Sequence, residues 1–186
     1  MRILIADDEA IIRLGLKAML EEMGHEVVGA AADGRAAIDL ARSTQPDMII
    51  LDIKMPGLDG LQVAEAIAAE RPVPIVILSA YSDRELIERA ASLAVQAYLV
   101  KPIRPAELGP TLEIALDRFV ETQALRREAA DLTEALRARE VVGRAKQLLM
   151  ERHGLSEAEA FRTLQAEARR ERRSMREISE RLLGER

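Results

Sequence analysis

The sequence predicts a parallel α/β domain followed by an all-helical segment. Three observations carry that prediction. Five short apolar runs alternate with helical stretches through roughly the first 105 residues. Gly24, Gly34, Pro46, Pro56-Gly57, Gly60, Pro72 and Pro74 fall between these elements. Beyond Pro105 the alternation stops, and after Pro110 as far as Arg139 the chain has neither Gly nor Pro.

The predicted strands are Arg2–Ala6, Val27–Ala31, Met48–Leu51, Ile75–Leu78 and Ala97–Val100. They are apolar without polar alternation, as in strands buried on both faces. The predicted helices between them are Ile11–Glu22, Arg35–Arg42, Leu61–Glu70 and Asp83–Leu93. Ser82 followed by Glu85 is a capping-box pattern opening the last of these. Five β/α repeats imply a five-stranded, doubly wound parallel sheet with helices on both faces.

The segment after Pro110 is amphipathic. Leu112, Leu116 and Phe119, then Leu125, Ala129, Leu132 and Leu136, recur three and four residues apart, with Arg and Glu on the flanks. A long coiled-coil-like helix is expected, either self-associating with a second copy or folded back on its own domain. Short helices then make a small all-α bundle. Val141–Arg152 stops at His153-Gly154, and Ser156/Glu159 and Ser174/Glu177 are capping boxes opening two more. Ala160, Phe161 and Leu164 form the apolar face of the first of these. The expected domains are 1–120, a connecting and dimerisation helix over 110–140, and a helical output domain over 125–186.

Composition narrows the chemistry. The chain has no Cys, which excludes disulfides, thiolate metal sites and cysteine nucleophiles. His25 and His153 lie far apart in sequence, which argues against a histidine-rich metal site. The opening MRILIADDEA lacks a secretory pattern, and no window approaches the ~18 apolar residues of a membrane span, so a cytoplasmic location without membrane association is expected. Residues 121–186 hold 15 basic and 13 acidic residues, against 12 and 19 in residues 1–120. A nucleic-acid partner therefore suits the second part and not the first.

In open parallel sheets, ligands sit at the carboxyl ends of the strands. The first predicted strand ends in Asp7-Asp8-Glu9, the third in Asp52 and the fourth in Ser79, and Lys101 follows the fifth. Clustered carboxylates repel one another until a hard cation joins them, and oxygen ligands with room for water suit Mg²⁺. Such a site aligns a phosphoryl group with a carboxylate nucleophile.

These residues lie in ILIADDE, MIILDIKMPGLDG, VILSA and AYLVKP. With those motifs, residues 1–120 resemble the bacterial response-regulator receiver domain, which is flavodoxin-like. The resemblance implies phosphorylation of Asp52 by a sensor histidine kinase. It implies Mg²⁺ bound by Asp8, Asp52 and the Lys54 backbone carbonyl, with Asp7 acting largely through water. It implies that Ser79 and Lys101 touch the phosphoryl group, that the bond before Pro102 is cis, and that Tyr98 rotates as Ser79 moves. The face expected to change comprises 83–93, 97–100 and the helix after Pro105. A shift there could favour a homodimer in the phosphorylated protein. An aspartyl-phosphate hydrolase would need an acidic residue two positions after the nucleophile; Lys54 stands there, so an enzyme is not expected.

The tail's basic residues permit several readings. Arg139, Arg144 and Lys146, and the cluster Arg169–Arg176, suit phosphates and unpaired bases, yet interleaved acidic residues also suit a solvated face. A DNA-binding helix-turn-helix or a protein-interaction tail competes with an RNA-binding one. The order AKQLLM then HGLSEAEAF, with Arg139, Arg172, Ser174 and Ile178, resembles the ANTAR RNA-binding domain of transcription antitermination regulators. Gln147 and Arg169 depart from that pattern, which often has Gly and Met there. The resemblance implies binding to paired RNA hairpins in leader transcripts, so that a terminator hairpin cannot complete. Arg139, Arg144, Lys146, Arg172, Arg173 and Ser174 are the expected contacts, with Arg planes substituting for scarce aromatics, since Phe161 reads as core.

Overall fold

The central strands carry apolar side chains at every position except at their ends, so each strand must be covered on both faces. The computed structural model, which describes residues 1–80 and 95–184, satisfies this with one parallel sheet. The elements in order are β1 (Arg2–Ala6), α1 (Ala10–Glu22), β2 (Glu26–Ala31), α2 (Gly34–Thr44), β3 (Met48–Asp52), α3 (Gly60–Glu70), β4 (Ile75–Ser79), β5 (Ala97–Val100), α4 (Pro105–His153), α5 (Glu157–Glu171) and α6 (Met175–Gly184). The predicted helix Asp83–Leu93 and its Ser82/Glu85 cap lie outside the described residues.

The strand order is β2-β1-β3-β4-β5, all pairs parallel. Alternation along each strand sorts side chains to opposite faces. Leu4, Ala6, Ile49, Leu51, Ile75 and Ile77 pack with residues of α2 and α3. Ile3, Ile5, Met48, Ile50, Val76 and Leu78 pack with α1 and with Leu108, Leu112 and Ala115 of α4. The β2 strand departs from the expectation of burial on both faces. It is an edge strand, mostly half-exposed, because only β1 pairs with it.

By its contacts the chain divides into Met1–Gln123 and Ala124–Arg186. In the second unit, Val142, Ala145 and Leu149 of α4 meet Ala160, Leu164 and Ala168 of α5 and Ile178 of α6. Arg181 ties α6 to α5 through Glu171 (2.6 Å) and Glu167 (3.1 Å). The predicted Val141–Arg152 helix is not separate: it is the last part of α4. Gly143 alone does not stop the helix, since its cost of about 1 kcal/mol is offset by the buried face of Val142, Ala145 and Leu149. Gly154 (φ +65°) does end it. Ser156 caps α5 reciprocally with Glu159, and Ser174 pairs with Glu177 in the same way at α6.

The predicted apolar stripe of α4 divides in two. Leu112 is buried against the sheet. Leu125 and Leu132 are 60% exposed and Leu136 67% exposed. Phe161 differs from the expected apolar face: it is 42% exposed and is not in the core that Ala160 and Leu164 enter.

Candidate functional site

The strand order reverses between β1 and β3, and the carboxyl ends of these two strands bring the acidic residues together. Carboxylate oxygens of Asp7, Asp8 and Asp52 all lie within 4.8 Å of one another. Asp7 is fully buried, Asp52 is buried and Asp8 is exposed. The ammonium of Lys101, just past β5, sits 2.8 Å from Asp7 Oδ2, 3.0 Å from Asp52 Oδ1 and 3.7 Å from Glu9. Three carboxylates thus face one close ammonium. A cleft of about 250 Å³ opens here, lined by Asp8, Glu9, Asp52, Lys54, Ala80 and Lys101.

Burial holds the Asp52 carboxyl above its ordinary range, and the charges of Asp7 and Asp8 add to that; the hydrogen bond and charge of Lys101 oppose it. For Lys101, burial pushes downward, but its hydrogen bonds to Asp7 and Asp52 and their charges prevail, and its pKa is raised. The donor set is all oxygen, the carboxylates are in excess of the lysine, and the cleft has room for waters. This set fits a hard divalent cation such as Mg²⁺.

Two residues build the site without having signalled themselves in the sequence. The Arg13 guanidinium, one turn into α1, donates to the backbone carbonyls of Asp7 (2.6 Å) and Asp8 (3.0 Å) and so fixes the acidic turn. Its signal was an arginine five residues after Asp8. Gly60, at the start of α3, lies so close to β3 that a Cβ there would be 2.1 Å from the Asp52 carbonyl oxygen. Its amide donates to the Ile53 carbonyl (2.9 Å). Glycine is the residue type that lets α3 start against the backbone carrying Asp52.

Ser79 and Tyr98 end and occupy neighbouring strands. The Ser79 hydroxyl and the Tyr98 hydroxyl are buried and have no hydrogen-bond partner among the described residues. The Lys101–Pro102 peptide bond is cis.

The basic residues of the second unit are only partly gathered. Arg139, Lys146 and Ser174 line one cleft of about 540 Å³, together with Gly143, Phe161 and Arg176. Arg144, Arg172 and Arg173 are exposed but do not line it. Lys146 pairs with Glu157 at 2.5 Å. Ser174 donates its hydroxyl to Glu177 at 2.8 Å, so that group is engaged in capping the start of α6. Arg176 pairs with Glu134 and Glu180.

Comparison with known proteins matches both parts. Residues 3–113 match the response regulator receiver domain family and residues 130–183 the ANTAR domain family. The transcriptional regulatory protein PdtaR of Mycobacterium tuberculosis is 47% identical over 179 residues, which is 96% of this chain and 87% of that protein. The transcriptional regulatory protein YdfI of Bacillus subtilis is 32% identical over 62% of this chain and 54% of its own length. Among solved structures, the signal receiver domain of a modulated diguanylate cyclase from Desulfovibrio desulfuricans aligns with a TM-score of 0.60 at 29% identity, over 65% of this chain and 97% of that one. The chemotaxis protein CheY4 of Vibrio cholerae aligns at 0.57 and 31% identity, over 60% and 95%. Receiver domains generally bind Mg²⁺ through an acidic pocket of this kind. With the pocket at the sheet's carboxyl edge and a helical ANTAR region after it, the chain belongs to the two-component response regulators of the PdtaR type, a receiver domain followed by an ANTAR domain.

Proposed function

We propose that the chain accepts a phosphoryl group on Asp52 from a sensor histidine kinase and that this governs RNA binding by its tail. The carrying observation is the convergence of Asp7, Asp8, Asp52 and Lys101 on one cleft, in a chain whose later residues match an RNA-binding family. Asp8, Asp52 and the Lys54 carbonyl hold Mg²⁺, and Asp7 holds it largely through water. When bound, the cation neutralises charge on the incoming phosphoryl oxygens. A carboxylate oxygen of Asp52 attacks phosphorus as the bond to the donor atom breaks, and an aspartyl phosphate remains. Lys101 moves from Asp7 toward a phosphoryl oxygen. Ser79 donates its unpartnered hydroxyl to another, and Tyr98 turns into the space that Ser79 leaves.

In the tail, Arg139, Arg144, Lys146, Arg172, Arg173 and Ser174 contact paired RNA hairpins in leader transcripts. Holding those hairpins keeps a terminator from completing. Replacing Lys146 and Arg172 by Glu is expected to weaken binding to a two-hairpin RNA at least tenfold while phosphoryl uptake at Asp52 is unchanged. Filter binding and a phosphoprotein gel check the two halves. Tighter binding of duplex DNA than of RNA by the unaltered chain would favour a DNA-binding output instead.

The exposed Leu125, Leu132 and Leu136, spaced seven and four apart with Ala129 between, form a seam for a second copy. Phosphorylation is expected to raise the dimer fraction, and two linked tails raise effective affinity for a two-hairpin target. Light scattering with and without a small phosphodonor tests this; an unchanged mass counts against it. Among the described residues no helix is long and apolar enough to cross a membrane.

A further inference from the structure

Phe161 occupies an unusual place for an apolar ring. Its helix neighbours Ala160 and Leu164 are buried in the tail's core, while Phe161 is 42% exposed. It lines the cleft that also holds Arg139, Gly143 and Lys146. It lines a second cleft of about 720 Å³ as well, with Lys146, Ser156 and Arg162. The ring and the lysine are common to both clefts.

From this we infer that Phe161 is a stacking platform for an unpaired RNA base, with Arg139 and Lys146 holding the flanking phosphates. The inference rests on the RNA-binding reading above and adds the group that grips the base. An aromatic face beside cations is what a splayed-out nucleotide requires: the ring takes the base and the cations take the backbone. Arg139 makes no ion pair among the described residues, so its guanidinium is uncommitted. Lys146 is half-buried but its partner Glu157 is 71% exposed, so the carboxylate can swing into solvent and leave the ammonium to a phosphate. Gly143 leaves the first cleft open, since a Cβ built there meets nothing within 4 Å. A duplex keeps its bases stacked inside and cannot use such a platform, so the occupant is a hairpin loop. The cationic rim favours RNA over an apolar protein segment.

The test uses the full chain and a synthetic RNA of two short hairpins, with each loop position in turn made abasic. Phe161→Leu is expected to weaken binding to the intact RNA at least about fivefold, the loss of one base–aromatic stack. Phe161→Trp is expected to bind as the unaltered chain does. One abasic position should weaken the unaltered chain by the same factor and the Phe161→Leu chain no further. The salt dependence of binding should stay the same in Phe161→Leu, because no phosphate contact is lost. Equal affinity of the Phe161→Leu and unaltered chains overturns the inference and leaves RNA binding standing. Loss in Phe161→Trp equal to that in Phe161→Leu also overturns it. Failure of the unaltered chain to bind the RNA overturns both readings. If circular dichroism shows Phe161→Leu to be misfolded, the abasic series on the unaltered chain decides: no sensitive loop position means no platform.

Discussion

Asp52→Asn is expected to abolish phosphoryl uptake from a small phosphodonor in Mg²⁺, with no residual signal on a phosphoprotein gel. Asparagine keeps the shape and one oxygen but has no carboxylate to attack phosphorus. The same change should have opposite effects on stability in two conditions. Without divalent cation it removes one of three clustered carboxylates, and a buried one. The variant should then melt a few degrees higher, on the scale of about 1 kcal/mol. With millimolar Mg²⁺ the order should reverse, because only the unaltered chain offers the full set of ligands and gains by binding. The dependence on pH follows from the raised Asp52 pKa. The unfolded chain ionises Asp52 at a lower pH than the folded one. Asp52 therefore favours the fold most below its unfolded pKa, and that contribution is lost as pH rises through the folded value. Asparagine should flatten that decline in cation-free buffer. Thermal melts by circular dichroism across pH, with and without Mg²⁺, give all of these outcomes.

Gly60→Ala should cost about 3 kcal/mol or more, at or beyond the upper end of ordinary overpacking. Side-chain overpacking is relieved by rotamer changes. Here the obstacles are main-chain atoms: the Asp52 carbonyl oxygen at 2.1 Å, its carbon at 2.9 Å and the Ile53 Cα at 3.1 Å. Either α3 lifts from β3, or β3 moves and takes Asp52 with it. Phosphoryl uptake should slow along with the loss of stability. Gly15→Ala is the matched control. Gly15 lies within α1 with nothing within 4 Å of its would-be Cβ, so alanine there should stabilise by up to about 1 kcal/mol. Chemical denaturation separates the two glycines: one holds the fold open for a close approach, and the other only weakens a helix.

The acidic pocket was legible because it needs particular residue types at the ends of particular strands, and strand ends show in sequence as apolar runs stopping. Asp7, Asp8, Asp52 and Lys101 fall together for that reason alone. Arg13 and Gly60 were not legible. Their work is on backbone atoms across a turn, and neither a salt bridge nor a hydrophobic period advertises it. The tail was harder still. Phe161 follows Ala160 and precedes Leu164 by three, so spacing places all three on one apolar face. The helix rotation that buries Ala160 and Leu164 carries Phe161 to the edge, and periodicity cannot fix a phase that finely. The continuation of α4 into Val141–Arg152 was not legible because the change from an exposed seam to a face packed on α5 and α6 shifts the apolar phase, and a shift of phase reads as a new helix.

The position of Lys101 between Asp7 and Asp52 has one more consequence. The fold carries its own counter-ion in the pocket, tethered to the chain. A structural metal site collapses when stripped, because nothing else balances its ligands. If the receiver takes up its phosphoryl group with a bound cation, as proposed, a chelator should silence it and leave it standing, so that ion supply would bear on signalling and not on survival.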